Sequence, residues 1–142
     1  MRILGFSRID WQDFNRHCLK LLQPEFTTWR WQRRDKPWQE REVVQVVLRP
    51  RSKERLILGE AGIKNIEIRE PWQIKDDEAR MDGFGQAWEL SSYLNQERHA
   101  RKLPYGHPLN RLMIKWLLWY EPLILYAGNK YEAIKIYPVL ES

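Results

Sequence analysis

Four runs rich in β-branched and aromatic residues, 26–32, 43–48, 56–60 and 65–69, follow one another along the first half of this chain. The last three are separated by Pro50-Arg51-Ser52-Lys53 and Ala61-Gly62, and the first two by residues 33–42. Parallel neighbours joined by helical crossovers need a dozen or more residues between strands, whereas antiparallel neighbours need only a turn. The spacing therefore predicts an antiparallel or mixed sheet rather than alternating βαβ units. A small sheet of this kind removes its exposed edges by curling into a barrel.

The flanking segments predict the remaining elements. Residues 3–6 read as a short strand, and Asp10 caps a helix over 11–22 whose stripe is Trp11, Phe14, Cys18, Leu21 and Leu22, closed by Pro24. After Pro71, Asp76 and Asp77 provide an N-cap for a short helix ending before Asp82-Gly83-Phe84, and a second helix covers 86–98. Residues 99–108 form a polar loop. Apolar residues at 109, 112, 113, 116, 117 and 120 predict another helix. Runs 123–127 and 131–139 flank Gly128-Asn129-Lys130 as a hairpin. The expected fold is one α+β domain over 1–142, a small mixed or antiparallel β-barrel of about six to seven strands flanked by about four helices.

Composition narrows the class of protein. With 43% hydrophobic and 30% charged residues the chain is globular rather than disordered. A net charge of +5 leans towards an anionic partner. The single cysteine, Cys18, has no internal disulfide partner, and no targeting segment is evident, so a cytoplasmic location is expected. The strongly apolar run 116–120 is too short to span a bilayer. His17, His99 and His107 lack metal-ligand spacing, and no phosphate-binding glycine loop or paired-cysteine signature occurs, so neither a metal nor a cofactor is expected.

Residues 26–41 interleave Trp29, Trp31 and Trp38 with Arg30, Arg33, Arg34, Lys36 and Arg41. Cations attract phosphates, and flat faces stack on bases. Strand periodicity puts Phe26, Thr28 and Arg30 on one face and Thr27, Trp29 and Trp31 on the other. Trp29 and Trp31 are assigned to the core, and Trp38, after Pro37, to the surface as a stacker. Arg33, Arg34 and Lys36 are either a solvated turn or, with Trp38, a nucleic-acid rim. Arg98, Arg101 and Lys102 make a second basic segment that extends it.

The run Thr27-Thr28-Trp29-Arg30, followed by 63–84 (IKNIEIREPWQIKDDEARMDGF) and Gln86-Ala87-Trp88-Glu89-Leu90, resembles the ASCH domain of the PUA-like superfamily of RNA-associated β-barrels. The resemblance covers about 1–94, with 99 onward supplying a further helix and closing strands. It implies a cleft between barrel and helices, walled by the Thr-x-Arg strand, with Thr27, Thr28, Arg30, Asp82, Gly83 and Phe84 as ligand-binding positions. A bacterial branch of the family hydrolyses acetylated cytidine through a lysine, a threonine and a glutamate. The threonine falls on Thr28 and the glutamate on Asp82, but Glu25 occupies the lysine position. A threonine hydroxyl needs an activating base, and Glu25 beside Asp82 would add negative charge where an oxyanion forms.

The expected function is therefore a non-catalytic module binding RNA or a nucleotide-like ligand in a cleft of Thr28, Arg30 and Asp82. One alternative is a hydrolase of a modified nucleoside or of RNA, with Thr28 as nucleophile and Asp82 and Glu25 as acid and base. Another is a protein-interaction adaptor using the tryptophan-rich surface. Arg30 also has a purely structural reading, as an ion-pair partner of Asp82 or Glu78.

Overall fold

The computed structural model describes residues 1–6, 19–48, 50, 51, 53 and 55–120, together with the backbone of 123–126 and 133–136. Five strands form one sheet in the order β1 (Arg2–Phe6), β3 (Val43–Leu48), β4 (Leu56–Arg69), β5 (Leu109–Trp119), β2 (Glu25–Trp31). β1 runs parallel to β3, and all other pairs are antiparallel. The sheet curls into a half-barrel. Among the described residues it has five strands rather than six or seven, because β6 (Leu123–Tyr126) and β7 (Ala133–Ile136) pair only with each other, antiparallel as the expected hairpin requires. Two α-helices are described, α1 (Asp76–Met81) and α2 (Ala87–Ala100). The expected helix over 11–22 lies mostly outside the described residues, and its last part, Leu19–Leu22, is a 3-10 turn.

Two expectations fail for identifiable reasons. The runs 56–60 and 65–69 belong to one strand, β4, because Ala61 and Gly62 are paired on both sides, with Val44 and Val43 of β3 and with Trp116 and Lys115 of β5. A glycine weakens a strand but does not end one that is hydrogen-bonded along both edges. The segment expected as a helix over 109–120 is β5, which lies between β4 and β2. Leu112, Ile114 and Trp116 face the inside of the curl, while Leu109 faces the helices. A strand covered on both sides carries apolar residues on both faces, which hides its period of two and here mimics a helical stripe.

The sheet separates two cores. Inside the curl, Leu4, Leu21, Phe26, Trp38, Val44, Val46, Leu58, Ile63, Leu112, Ile114 and Trp116 pack together. Outside it, Trp29, Trp31, Ile74, Ala79, Leu90, Leu94, Leu103 and Leu109 bury the helices against the sheet. Alternation along β2 thus sends Phe26 to one core and Trp29 and Trp31 to the other, as its period requires. Trp31 Nε1 donates to the Leu94 carbonyl at 3.1 Å, tying β2 to α2.

α1 is fixed to the sheet by buried charge. Arg69 forks onto both oxygens of Glu78 at 2.9 and 2.8 Å, and Arg111 approaches the same carboxylate at 3.3 Å. Burial pushes the Glu78 carboxyl up, but the hydrogen bonds from Arg69 and from the Lys75 amide, with the charges of Arg111 and Arg69, outweigh it and leave it below its ordinary value. Asp76 accepts from the Ala87 amide at 2.8 Å, so the acidic start of α1 also caps the first turn of α2.

Candidate functional site at the sheet seam

β1 and β2 are the two edges of the five-stranded sheet, and the curl brings them close enough for side chains to cross. Arg30 of β2 donates through Nη2 to the carbonyl of Gly5 in β1 at 2.8 Å, and through Nε to Thr28 Oγ1 at 3.1 Å. Its guanidinium lies 4.8 Å from the centre of the Phe6 ring. Phe6 in turn meets Phe26 edge-on at 6.1 Å. A guanidinium therefore bridges the two edge strands of the half-barrel. Burial lowers the Arg30 pKa from its ordinary value, and the negative field of Asp82, with that of Glu97, opposes the shift.

Lys20, from the 3-10 turn Leu19–Leu22, enters the same seam. Its Nζ donates to Asp82 Oδ1 at 2.7 Å and to the Thr27 carbonyl at 3.0 Å, and it sits 5.5 Å from the Phe6 ring centre. Both side chains of the Lys20–Asp82 pair are more than nine-tenths buried, at 9% and 8% exposure. Two positive charges and one negative thus meet at the seam: Arg30 on the buried Thr28 hydroxyl, and Lys20 on the buried Asp82 carboxylate, with both cations near the Phe6 ring. Such a set suits a ligand that offers acceptors to the cations and an N–H to the carboxylate.

Asp82 owes its position to how α1 ends. It is the C-cap residue; the Gly83 amide donates to the Arg80 carbonyl at 3.1 Å and the Phe84 amide to the Ala79 carbonyl at 2.9 Å. These are the two bonds of a Schellman closure, which needs a left-handed residue after the cap. Gly83 supplies it, with φ of 92°. Phe84 completes the closure by packing with Ala79 in the outer core, 5.7 Å from the Tyr93 ring. Gly83 and Phe84, expected at the ligand, therefore act here by holding Asp82 in place.

The structure brings together Thr28, Arg30 and Asp82, and adds Lys20, which sequence reasoning missed. It does not bring in Glu25. A residue three before Thr28 on a strand lies on the opposite face; Glu25 pairs there with Lys64 at 3.0 Å, at the surface. The negative charge expected beside Asp82 is in fact a positive one. Thr27 also faces away from Thr28, its buried Oγ1 unpartnered, and contributes only its carbonyl to the cluster. Of the two ion pairs considered for Arg30, Glu78 is taken by Arg69, and the hydrogen-bonded cation at Asp82 is Lys20.

The aromatic rim differs from expectation. Trp38 is buried in the inner core, with Arg2 4.5 Å and Arg33 5.8 Å from its ring centre, because the turn 33–37 folds back over β1. Arg2 holds that turn by donating to the carbonyls of Lys36 and Pro37 at 2.5 and 2.7 Å. Trp38 is not an exposed stacker. Arg33 forks onto Asp35 at 3.0 and 2.8 Å, which lowers the Asp35 carboxyl to about 2, while Arg34 and Lys36 are exposed.

No helix among the described residues is long and apolar enough to cross a membrane, and no cluster of three or more His, Cys, Asp or Glu side chains suited to a metal occurs among them. Comparison of the chain with protein-family models, with curated proteins and with solved structures finds no match.

Proposed function

We propose that the seam binds RNA or a nucleotide-like ligand through Lys20, Thr28, Arg30 and Asp82, without chemistry. The supporting observation is that Arg30 bonds the buried Thr28 hydroxyl and Lys20 the buried Asp82 carboxylate, while both cations stand near the Phe6 ring. A phosphate or base carbonyl accepts from Lys20 and from the Arg30 fork, and Asp82 accepts from a base amine. The ASCH resemblance names the same strand as a cleft wall. The test is a titration with cytidine derivatives and short single-stranded RNA at two salt concentrations, comparing wild type with Lys20→Ala and Thr28→Val. Binding is expected at low salt, weakened by added salt and by both substitutions. Absence of binding at low salt, or indifference to both variants, overturns the reading.

A second reading, amide hydrolysis on a modified nucleoside, gains support from Lys20. The family resemblance lacks its lysine at Glu25, yet an amine from elsewhere in the chain meets Asp82 beside the threonine strand. In this reading Lys20 first passes a proton to Asp82, and the neutral Nζ then takes the Thr28 Oγ1 proton as that oxygen attacks the acetyl carbonyl. The amide C–N bond breaks with the proton going to the departing cytidine amine, and water frees acetate from Thr28. Incubation with acetylated cytidine followed by chromatography decides it: no product above a Thr28→Val control removes the reading.

A further inference from the structure

On the opposite side of β2 from the seam, a cleft of about 260 Å³ opens between the 3-10 turn Pro71–Gln73, α2 and the loop that precedes β5. Trp31 forms part of its floor, and Trp72 and Tyr105 line it. Trp72 is 76% exposed and Tyr105 is 90% exposed, and both line the same cleft. Pro71 starts the turn that holds Trp72 outward, and Gly106, with φ of 86°, makes the bend that presents Tyr105.

The polar groups of the cleft are already ordered. Arg98 Nη1 donates to the Leu103 carbonyl at 3.3 Å, and its guanidinium stands 5.4 Å from the Tyr105 ring centre. His107 Nε2 lies 2.8 Å from the Gln32 carbonyl, and its ring is 6.3 Å from that of Trp31. Asn95 of α2 lines the wall. The volume is below the roughly 300–1,000 Å³ of sites that enclose a drug-sized molecule, so it suits one flat ring system rather than a large ligand.

The surroundings decide what kind of ring. Arg101 and Lys102 follow Arg98 at the end of α2 and are exposed. On the other flank the Gln32 amide bonds to the Pro108 carbonyl at 2.9 Å, which ties the end of β2 to the His107 loop. Glu70 is the acidic residue of the lining. A cationic guest would meet this basic margin unfavourably, whereas a ring attached to phosphates on both sides would be attracted to it.

We propose that this cleft is a base-stacking site that takes an unpaired nucleobase of single-stranded nucleic acid between Trp72 and Tyr105, with Arg98 reaching a flanking phosphate. It stands independently of the seam, which lies across β2 and shares none of these side chains. Trp72 and Tyr105 project into solvent, so their substitution leaves the fold intact, which circular dichroism checks.

The experiment measures fluorescence anisotropy of 5′-labelled ten-nucleotide single strands of RNA and DNA, and of the matching RNA duplex, on the full chain. Trp72→Ala and Tyr105→Ala are each expected to weaken single-strand binding about 5- to 150-fold, and Trp72→Phe to restore most of the loss. Equal response of RNA and DNA strands assigns recognition to base and phosphate, whereas a preference for RNA adds a contact to the 2′-hydroxyl; both agree with stacking. Wild-type strands that do not bind, unchanged affinity in both alanine variants, or a duplex that binds as tightly as the single strand would overturn the proposal. Loss of strand binding in Trp72→Ala with Lys20→Ala and Thr28→Val unaffected supports this cleft and removes the seam as the nucleic-acid site; the reverse pattern removes this cleft.

Discussion

Replacing Lys20 by methionine keeps the length and the apolar stem of the side chain but deletes the ammonium that meets Asp82 Oδ1 at 2.7 Å. Asp82 is then left inside the seam at 8% side-chain exposure without that partner. Breaking a buried pair from one side costs about 3–5 kcal/mol, because the remaining charge has lost its water and one favourable charge contact. The charge of Arg30 still reaches Asp82, so the lower end, about 3 kcal/mol, is expected. At roughly 3–4 °C per kcal/mol for a chain of this size, the melting temperature falls by about 10 °C. Asp82→Asn alone leaves the ammonium without a carboxylate and is also destabilising. The double variant Lys20→Met with Asp82→Asn removes both charges and recovers to within about 1–2 kcal/mol of wild type. Urea denaturation followed by tryptophan fluorescence gives the four corners of this cycle. If Lys20→Met costs less than about 1 kcal/mol, or the two single losses simply add in the double variant, the buried pair does not hold the seam as described.

Glycine positions test the sheet directly: a Cβ on Gly59 would stand 2.1 Å from the backbone carbonyl oxygen of Leu118, whereas one on Gly62 meets nothing closer than 3.6 Å. Gly59→Ala is therefore expected to lose about 1–3 kcal/mol in denaturant titration and Gly62→Ala much less. Glu25→Gln disturbs only a surface pair with Lys64, so stability should stay within about 0.5 kcal/mol and ligand binding should not change; a loss of binding returns Glu25 to the site. Glu78 titrates below its ordinary value of 4.5 in the folded chain. Its contribution is complete above that ordinary value and drains away as pH falls through the lowered one, so acid unfolding of Glu78→Gln should show a shallower dependence on pH below about 4.5.

How much of this was legible in the residues differs along the chain. β2 was readable down to which side chain faces which core, because its alternation of Phe26, Thr28 and Arg30 against Trp29 and Trp31 is uninterrupted and its two faces meet different environments. β5 was not, since burial on both sides gave it an apolar spacing that also fits a helix turn. Thr28, Arg30 and Asp82 were found together through short motifs of fixed order. Lys20 could not be found that way: its partner Asp82 is 62 residues distant, and a 3-10 turn gives no periodicity from which to infer its direction. The one local rule that applied, strand alternation, already argued against Glu25 as a neighbour of Thr28.

The densest mixture of tryptophan and arginine in the chain, 26–41, turns out to serve the fold more than a partner. Arg2 and Arg33 flank Trp38, Arg111 stands 5.9 Å from Trp29, and Arg30 and Lys20 lie against Phe6. Each such contact stabilises by roughly 0.5–2 kcal/mol depending on how much water it excludes, and a ring already covered by a cation has that much less to gain from a base. Two of the exposed aromatic rings come from separated places, Trp72 after Pro71 and Tyr105 before Gly106, where each is held outward by its own turn. Tyr105 does have Arg98 beside it, yet nine-tenths of its surface is still exposed. A ligand-facing aromatic pair is thus better sought where backbone turns keep rings and cations from closing on each other than where the composition is richest.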